Sequence, residues 1–299
     1  MNDNPLAQYF RTPAIHLELP SKGEFYEAGS LEMPESGEIP ILPMTAVDEI
    51  TYKTPDALFN GSAVADVIQS CVPAIKNAWQ MPVTDLTAVL CAIRIASFGH
   101  IMDLETKCPK CGNVSDYEID LREVLESIQP SDYSEIIPVG DLKVKFKPMT
   151  YRDLNDNNKL QFEEQKLRQL LTTEEIEIDP EDQIRILSET FKKVSEYTVK
   201  TLSKNIEKII TPQCSVTEQE HILEFLQKCN STTFKKIKSA VIERKNNEML
   251  KPLHIKCTAD IEDEPADGDK PAKTHKCNHE YDQNFTLDMT SFFVQSSSS

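Results

Sequence analysis

Residues 108–113 read Cys108-Pro109-Lys110-Cys111-Gly112-Asn113, and a second cysteine pair stands far downstream as Lys256-Cys257 and Lys276-Cys277. Two thiols three positions apart grip one tetrahedral metal ion from a tight turn, and a glycine after the second cysteine relieves the backbone there. One such knuckle supplies two ligands, whereas a closed structural site needs four. A weak internal repeat points to the missing pair. Lys107-Cys108 and Lys110-Cys111 precede Tyr117-Glu118-Ile119-Asp120-Leu121, and Lys256-Cys257 and Lys276-Cys277 precede Phe285-Thr286-Leu287-Asp288-Met289. Both following segments end in an apolar–Asp–apolar step. The second copy has nineteen residues between its cysteines where the first has two. Loop-closure cost grows only logarithmically with length, so an insertion of this size is compatible with a site. The spacing predicts one structural zinc site, formed by Cys108, Cys111, Cys257 and Cys277, that ties the two ends of the chain together. The alternatives are that Cys108 and Cys111 bind nothing, or that His254, His275 or His279 replaces one thiol. A thioredoxin-like redox role fits less well, because the motif lies between two extended segments and not before a helix.

Working outward, the flanks of the knuckle read as strands. Ile101–Glu105 leads in, Tyr117–Leu121 leads out, and Leu142, Val144 and Phe146 alternate with lysines in a further strand over 141–148. Upstream, Ile15, Leu17 and Leu19 alternate with polar residues, Pro20–Gly23 is a turn, and 38–43 is a short extended piece. Between these β segments lie short helices. Thr45 and Asp48 form a capping box, Thr54-Pro55 starts a second helix that Asn60-Gly61 stops, and Ser62 caps a third. Thr84–Phe98 is apolar nearly all round and reads as a buried helix. Cys71 and Cys91 fall on apolar faces and read as small core residues.

From Thr150 the chain turns helical. Tyr151–Leu171 is one helix. Asp179-Pro180-Glu181-Asp182 opens a second, with Ile184, Leu187, Phe191, Val194, Leu202, Ile206 and Ile209 forming a stripe that ends near Thr211-Pro212. Thr217 with Glu220 reads as another capping box, and Ser231 or Thr232 starts the partner of an αα-hairpin. The C-terminal part is β-like at Leu253–Lys256 and Asn284–Leu287, separated by an acidic loop over 260–274 and followed by a serine tail at 296–299. The expected fold is therefore α+β, mainly helical, with small β segments and a zinc-ribbon-like knuckle. Its expected units are residues 1–148 (α+β, with the CxxC knuckle), 149–250 (helical) and 251–299, a β/knuckle segment that packs back on the first unit.

The 299 residues carry a net charge of −17 and a pI of about 4.8. A chain this acidic repels phosphate backbones and anionic lipid, so neither nucleic acid nor membrane is an expected partner. The lysines around 192–208 and 235–251 alternate with glutamates at helical spacing and read as solvated helix faces. The start, MNDNPLAQYF, lacks a basic stretch followed by an apolar run, and Ala88–Ala96 is short and contains Arg94. A cytosolic protein with reduced thiols is expected. The eight glycines are scattered singly, and no GxSxG or HExxH motif occurs. Neither an enzyme nor a small-molecule substrate is expected.

Several segments fall into a familiar order. They are Leu19-Pro20-Ser21-Lys22-Gly23-Glu24-Phe25-Tyr26, Pro43–Glu49, Thr54–Leu58 with Asn60-Gly61, Asp85, Arg94–Gly99, the knuckle, Val216–Leu226 and Ser291-Phe292-Phe293. The set, spanning residues 15–293, resembles the baseplate protein family of T-even-type contractile-tailed phages, whose members take part in assembling the baseplate hub. The insertion between Cys257 and Cys277 departs from the compact CxxC expected of that pattern. The resemblance implies a hub component or assembly chaperone that binds other phage baseplate hub and tail proteins. It also implies a place in the host cytoplasm during assembly, or in the tail baseplate of the virion. The competing reading is a zinc-ribbon regulator that binds nucleic acid in late phage expression, which the negative charge disfavours.

Overall fold

The structure is a computed structural model that describes residues 4–54, 61–172, 180–262, 274–285 and 292–293. Among these residues are eight α-helices and twelve short strands, so the fold is α+β. Strands β1 (Ile15–Glu18) and β2 (Glu38–Ile41) pair antiparallel, with Ile15 opposite Ile41. Helix α1 (Ala46–Tyr52) opens with the expected capping box: Thr45 accepts from the Asp48 N–H, and the Asp48 carboxylate accepts from the Thr45 N–H. Helix α2 (Ser62–Cys71) starts differently from the sequence expectation. Its cap is Gly61, at φ 78°, with no side-chain hydrogen bond, and Ser62 is already helical. The Tyr151 hydroxyl donates to the Gly61 carbonyl at 2.9 Å and so holds the turn. Of the expected helix start Thr54-Pro55 only Thr54 is described; Pro55 and the expected stop at Asn60 lie outside the described residues.

Helix α3 (Val83–Phe98) is buried over ten of its residues, as its apolar circumference requires. It is the axis of the first core, which also takes Leu19, Ile39, Ile41, Tyr52, Val67, Ile68, Cys71 and Cys91. Phe285, Phe292 and Phe293 join this core from the far end of the chain. Strands β3 (Ile101–Lys107) and β4 (Val114–Asp120) form a hairpin, and helix α4 (Leu121–Ser127) follows.

A second core lies over a four-stranded antiparallel sheet ordered β5-β6-β7-β8: Ile136–Val139, Leu142–Phe146, Ile206–Ile210 and Ser215–Val216. Val144, Phe146, Ile206 and Ile209 point inward against Ile222 and Leu226 of α7 (Gln219–Lys228) and Ile237 and Val241 of α8 (Ser231–Glu248). Between β6 and β7 the chain runs out and back through α5 (Tyr151–Thr172) and α6 (Pro180–Lys204). Here the sequence reading is corrected. The long helix ends at Lys204, and Ile206 and Ile209 belong to a strand. A register shift at Lys145/Phe146 turns both isoleucines inward although they are three apart, a spacing that mimics a helix face. The expected N-cap Asp179 lies outside the described residues, as do the side chains of Ile184, Leu187 and Phe191.

One further helix start differs in detail. Glu218 is the N-cap of α7 and makes no side-chain cap, so the Thr217/Glu220 box does not form; instead Gln219 donates to the Ile206 carbonyl at 3.1 Å. Helix α8 starts at Ser231, one of the two starts expected, and Asn230 caps it, accepting from the Thr233 N–H at 2.9 Å. The last strands are β9 (Leu253–Lys256), β10 (Asp260–Glu262), β11 (Thr274–Lys276) and β12 (Glu280–Gln283). The strand expected at Asn284–Leu287 lies earlier, as β12, and residues 286–287 are outside the described residues, as are 263–273 and 296–299. Among the described residues no helix is long and apolar enough to cross a membrane.

Candidate metal centre

The first knuckle closes the β3–β4 hairpin beyond the pair Lys107–Val114. The Cys108 N–H donates to the Asn113 carbonyl, and the Gly112 N–H donates back to the Cys108 carbonyl, both at 2.9 Å. Gly112 sits at φ 71°, a conformation that glycine takes without strain. The second knuckle repeats this arrangement on the hairpin of β9 and β12. The Cys257 N–H donates to the His279 carbonyl at 2.8 Å, and the Asn278 N–H donates to the Cys257 carbonyl at 3.1 Å. Asn278, at φ 48°, occupies the place of Gly112; asparagine is among the few other residues that tolerate it. The weak repeat in the sequence is thus a repeat of backbone hydrogen bonding.

The insertion leaves this geometry intact because its two ends are paired strands. Antiparallel β10 and β11 place Asp260 opposite Lys276, and the Cys277 N–H donates to the Ala259 carbonyl at 2.9 Å. The chain therefore leaves and re-enters the knuckle at adjacent points, whatever lies between.

The four thiols meet. Cys108, Cys111, Cys257 and Cys277 have sulfur atoms all within 4.8 Å of one another, with Cys108–Cys277 at 3.9 Å and Cys111–Cys257 at 3.7 Å. A tetrahedron with metal–sulfur bonds of about 2.3 Å has edges of about 3.8 Å, whereas a disulfide needs about 2.05 Å. All four cysteines are free, and all but Cys111 are fully buried. Two hydroxyl contacts lock the hairpins together: Thr106 with Tyr281 at 2.8 Å, and Tyr117 to the Lys256 carbonyl at 2.8 Å. Burial opposes ionisation of Cys108, but the backbone N–H groups of Cys111 and Lys110 and the neighbouring thiols outweigh it and bring its pKa down to about 7. At Cys257 the backbone N–H of Ala259 favours the thiolate, yet burial and three neighbouring sulfurs push the thiol up to about 12. Four sulfurs this close resist shared negative charge, and a divalent cation at their centre removes that conflict.

Among the described residues no histidine joins the cluster. The His254 ring lies 3.0 Å from Asp282, His275 is exposed, and His279 stacks on Tyr281 and gives the knuckle its carbonyl. Cys71 and Cys91 are buried in the first core, where burial pushes both thiols up to about 12. Cys214 is exposed and Cys229 half-buried, outside the cluster. The sequence reading missed a buried polar knot beneath the first core. There Asp85, fully buried, accepts from the Ser21 N–H (2.8 Å), the Ser21 hydroxyl (2.6 Å) and the Tyr26 hydroxyl (3.0 Å). Burial raises the Asp85 pKa against these three donors.

The family described as T4 bacteriophage base plate protein matches residues 12–294, from before β1 to just past Phe293. The chain belongs to that base plate protein family. This gives it a structural or assembly role in a phage baseplate. No curated protein and no solved structure matches this base plate family member. Both knuckles and both cores lie inside the matched span.

Proposed function

We propose that this base plate protein serves the baseplate hub, as an assembly factor or a hub subunit, by binding other phage tail proteins, with Cys108, Cys111, Cys257 and Cys277 holding one structural zinc ion. The observation that carries the role is a family match over nearly the entire chain. The metal rests on the donor set: four sulfurs within 4.8 Å of one another, with two of the pairs, at 3.9 and 3.7 Å, close to the edge of a tetrahedral zinc–thiolate centre. Bound there, zinc would clamp the two hairpins and so the C-terminal strands to the middle of the chain. Four thiolates fill a tetrahedral shell and leave no open position for a substrate or water, which suits a structural ion.

Mass spectrometry on two samples tests the role: tagged protein captured from infected host cells, and purified mature particles. Recovery with hub proteins and presence in particles marks a hub subunit. Recovery with hub proteins and absence from particles marks an assembly factor. If no tail protein is recovered and particles lack the chain, the role is wrong.

A further inference from the structure

The four-stranded sheet has two unlike faces. Val139, Val144, Phe146, Ile206 and Ile209 fill the second core on one side. The register fixes what stands on the other. One row runs Pro138–Lys143–Ile210–Ser215 across all four strands, and a neighbouring row runs Ile136–Lys145–Lys208. Lys143 and Pro138 are exposed, Ile136 is 42 % exposed, and Lys145, Lys208 and Ile210 are half-buried. Neighbouring strands lie about 5 Å apart and alternate residues about 7 Å apart, so three lysines and three apolar residues stand close together on one face.

This arrangement works against the sheet's own stability. Lys145 and Lys208 stand directly opposite one another, a like-charge pair that costs stability. Glu207, at the irregularity in β7, pairs with Lys145 at 2.8 Å and answers one of the charges. Lys143 and Lys208 have no ion pair among the described residues. In a chain of net charge −17, a lysine-bearing sheet face is a local reversal of sign.

The geometry points to this face as a docking surface for a carboxylate-rich segment of another tail protein, an inference that rests on the proposed baseplate role and names one of its contacts. The lysines supply charge complementarity and orientation, while Ile136, Pro138 and Ile210 supply apolar area between them. A phosphate backbone would leave those apolar groups without a counterpart, and the net charge of the whole chain repels a polyanion. The partner lies across the face and does not extend the sheet at β5, because Pro138 on that edge strand lacks the N–H that strand addition needs.

The test uses the full chain, tagged, in infected cells. A Lys143→Glu/Lys208→Glu double variant is compared with wild type by quantitative mass spectrometry, and a photo-crosslinking residue is placed at Ile136. Wild type is expected to recover tail proteins in a salt-sensitive manner and to crosslink at Ile136 to an acidic segment of one of them. The double variant is expected to recover that protein at least about tenfold less, while its melting temperature stays equal or rises because the Lys145–Lys208 repulsion is gone. A melting temperature that does not fall separates lost docking from lost folding. If wild type and variant recover the same tail proteins equally, the face is not the contact and the baseplate role stands. A crosslink to nucleic acid or to a second copy of this chain also overturns the inference. If wild type itself recovers no tail protein, the baseplate role falls and the inference with it.

Discussion

Glu248, at the end of α8, is a carboxylate where the fold would prefer a neutral group. Burial pushes its pKa from 4.5 up to about 6, against a hydrogen bond from Tyr133, another from the Ser131 N–H, and the charge of Lys245. Among the described residues its Oε1 has no hydrogen-bond partner. Because the folded value lies above the unfolded one, the stability this group contributes is complete below about pH 4.5 and is lost as pH rises through about 6. Glu248→Gln should therefore raise the melting temperature at pH 7.5 by a few degrees, corresponding to about 1–2 kcal/mol, and change little at pH 4.5. Thermal melts at the two pH values check this; a loss of stability at pH 7.5 would show that the charge itself is needed. Asp153 runs the other way. It too is half-buried, but its ion pair with Lys204 and its bonds from Thr150 outweigh the desolvation and lower its pKa, so its contribution persists at neutral pH and is lost only in acid.

At the scale of elements, the start of α2 shows how a helix is fixed from a distance. Gly61 is buried, takes φ 78°, and a methyl group there would meet the side-chain amide of Asn155 and the hydroxyl of Tyr151. Gly61→Ala should cost about 2–4 kcal/mol, measurable by denaturant unfolding; a change below about 0.5 kcal/mol would refute the packing described. Nothing near Gly61 in the sequence announces this, because the residues that crowd it lie some ninety positions downstream in α5. The same distinction decides what could be read in advance. Local signals were legible: the Thr45/Asp48 capping box, the apolar circumference of α3, the alternation of Leu142, Val144 and Phe146, and the two cysteine pairs with their repeated context. Features set by remote pairing were not. Strand β7 reads as helix because its irregularity gives Ile206 and Ile209 a helical spacing, and only β6 reveals it as a strand. Asp85 meets Ser21 across sixty-four residues of chain, so its burial with three donors could not be read from its neighbours.

At the scale of the molecule, the C-terminal part of the chain is held to the middle in two places. One is the four-cysteine cluster. The other is Phe292-Phe293, which are 1 % and 3 % exposed in the first core: Arg94 donates to the Phe292 carbonyl and lies over its ring, and Phe293 packs edge-on against Tyr52. Phe292→Ala should cost about 3–5 kcal/mol. Hydrogen exchange should then speed up in α3 while α7 and α8, in the second core, keep their protection; equal loss in both cores would show that they unfold as one unit.

The other attachment carries the central claim and is the most direct to measure: the zinc content of the purified full-length protein by elemental analysis, beside native mass spectrometry of the same sample and of Cys277→Ser. One zinc ion per wild-type chain is expected, absent or strongly depleted in Cys277→Ser, with a lower melting temperature for the variant and for chelator-treated wild type. A folded wild-type protein that holds no zinc, or a Cys277→Ser variant that keeps its metal and its stability, would contradict it.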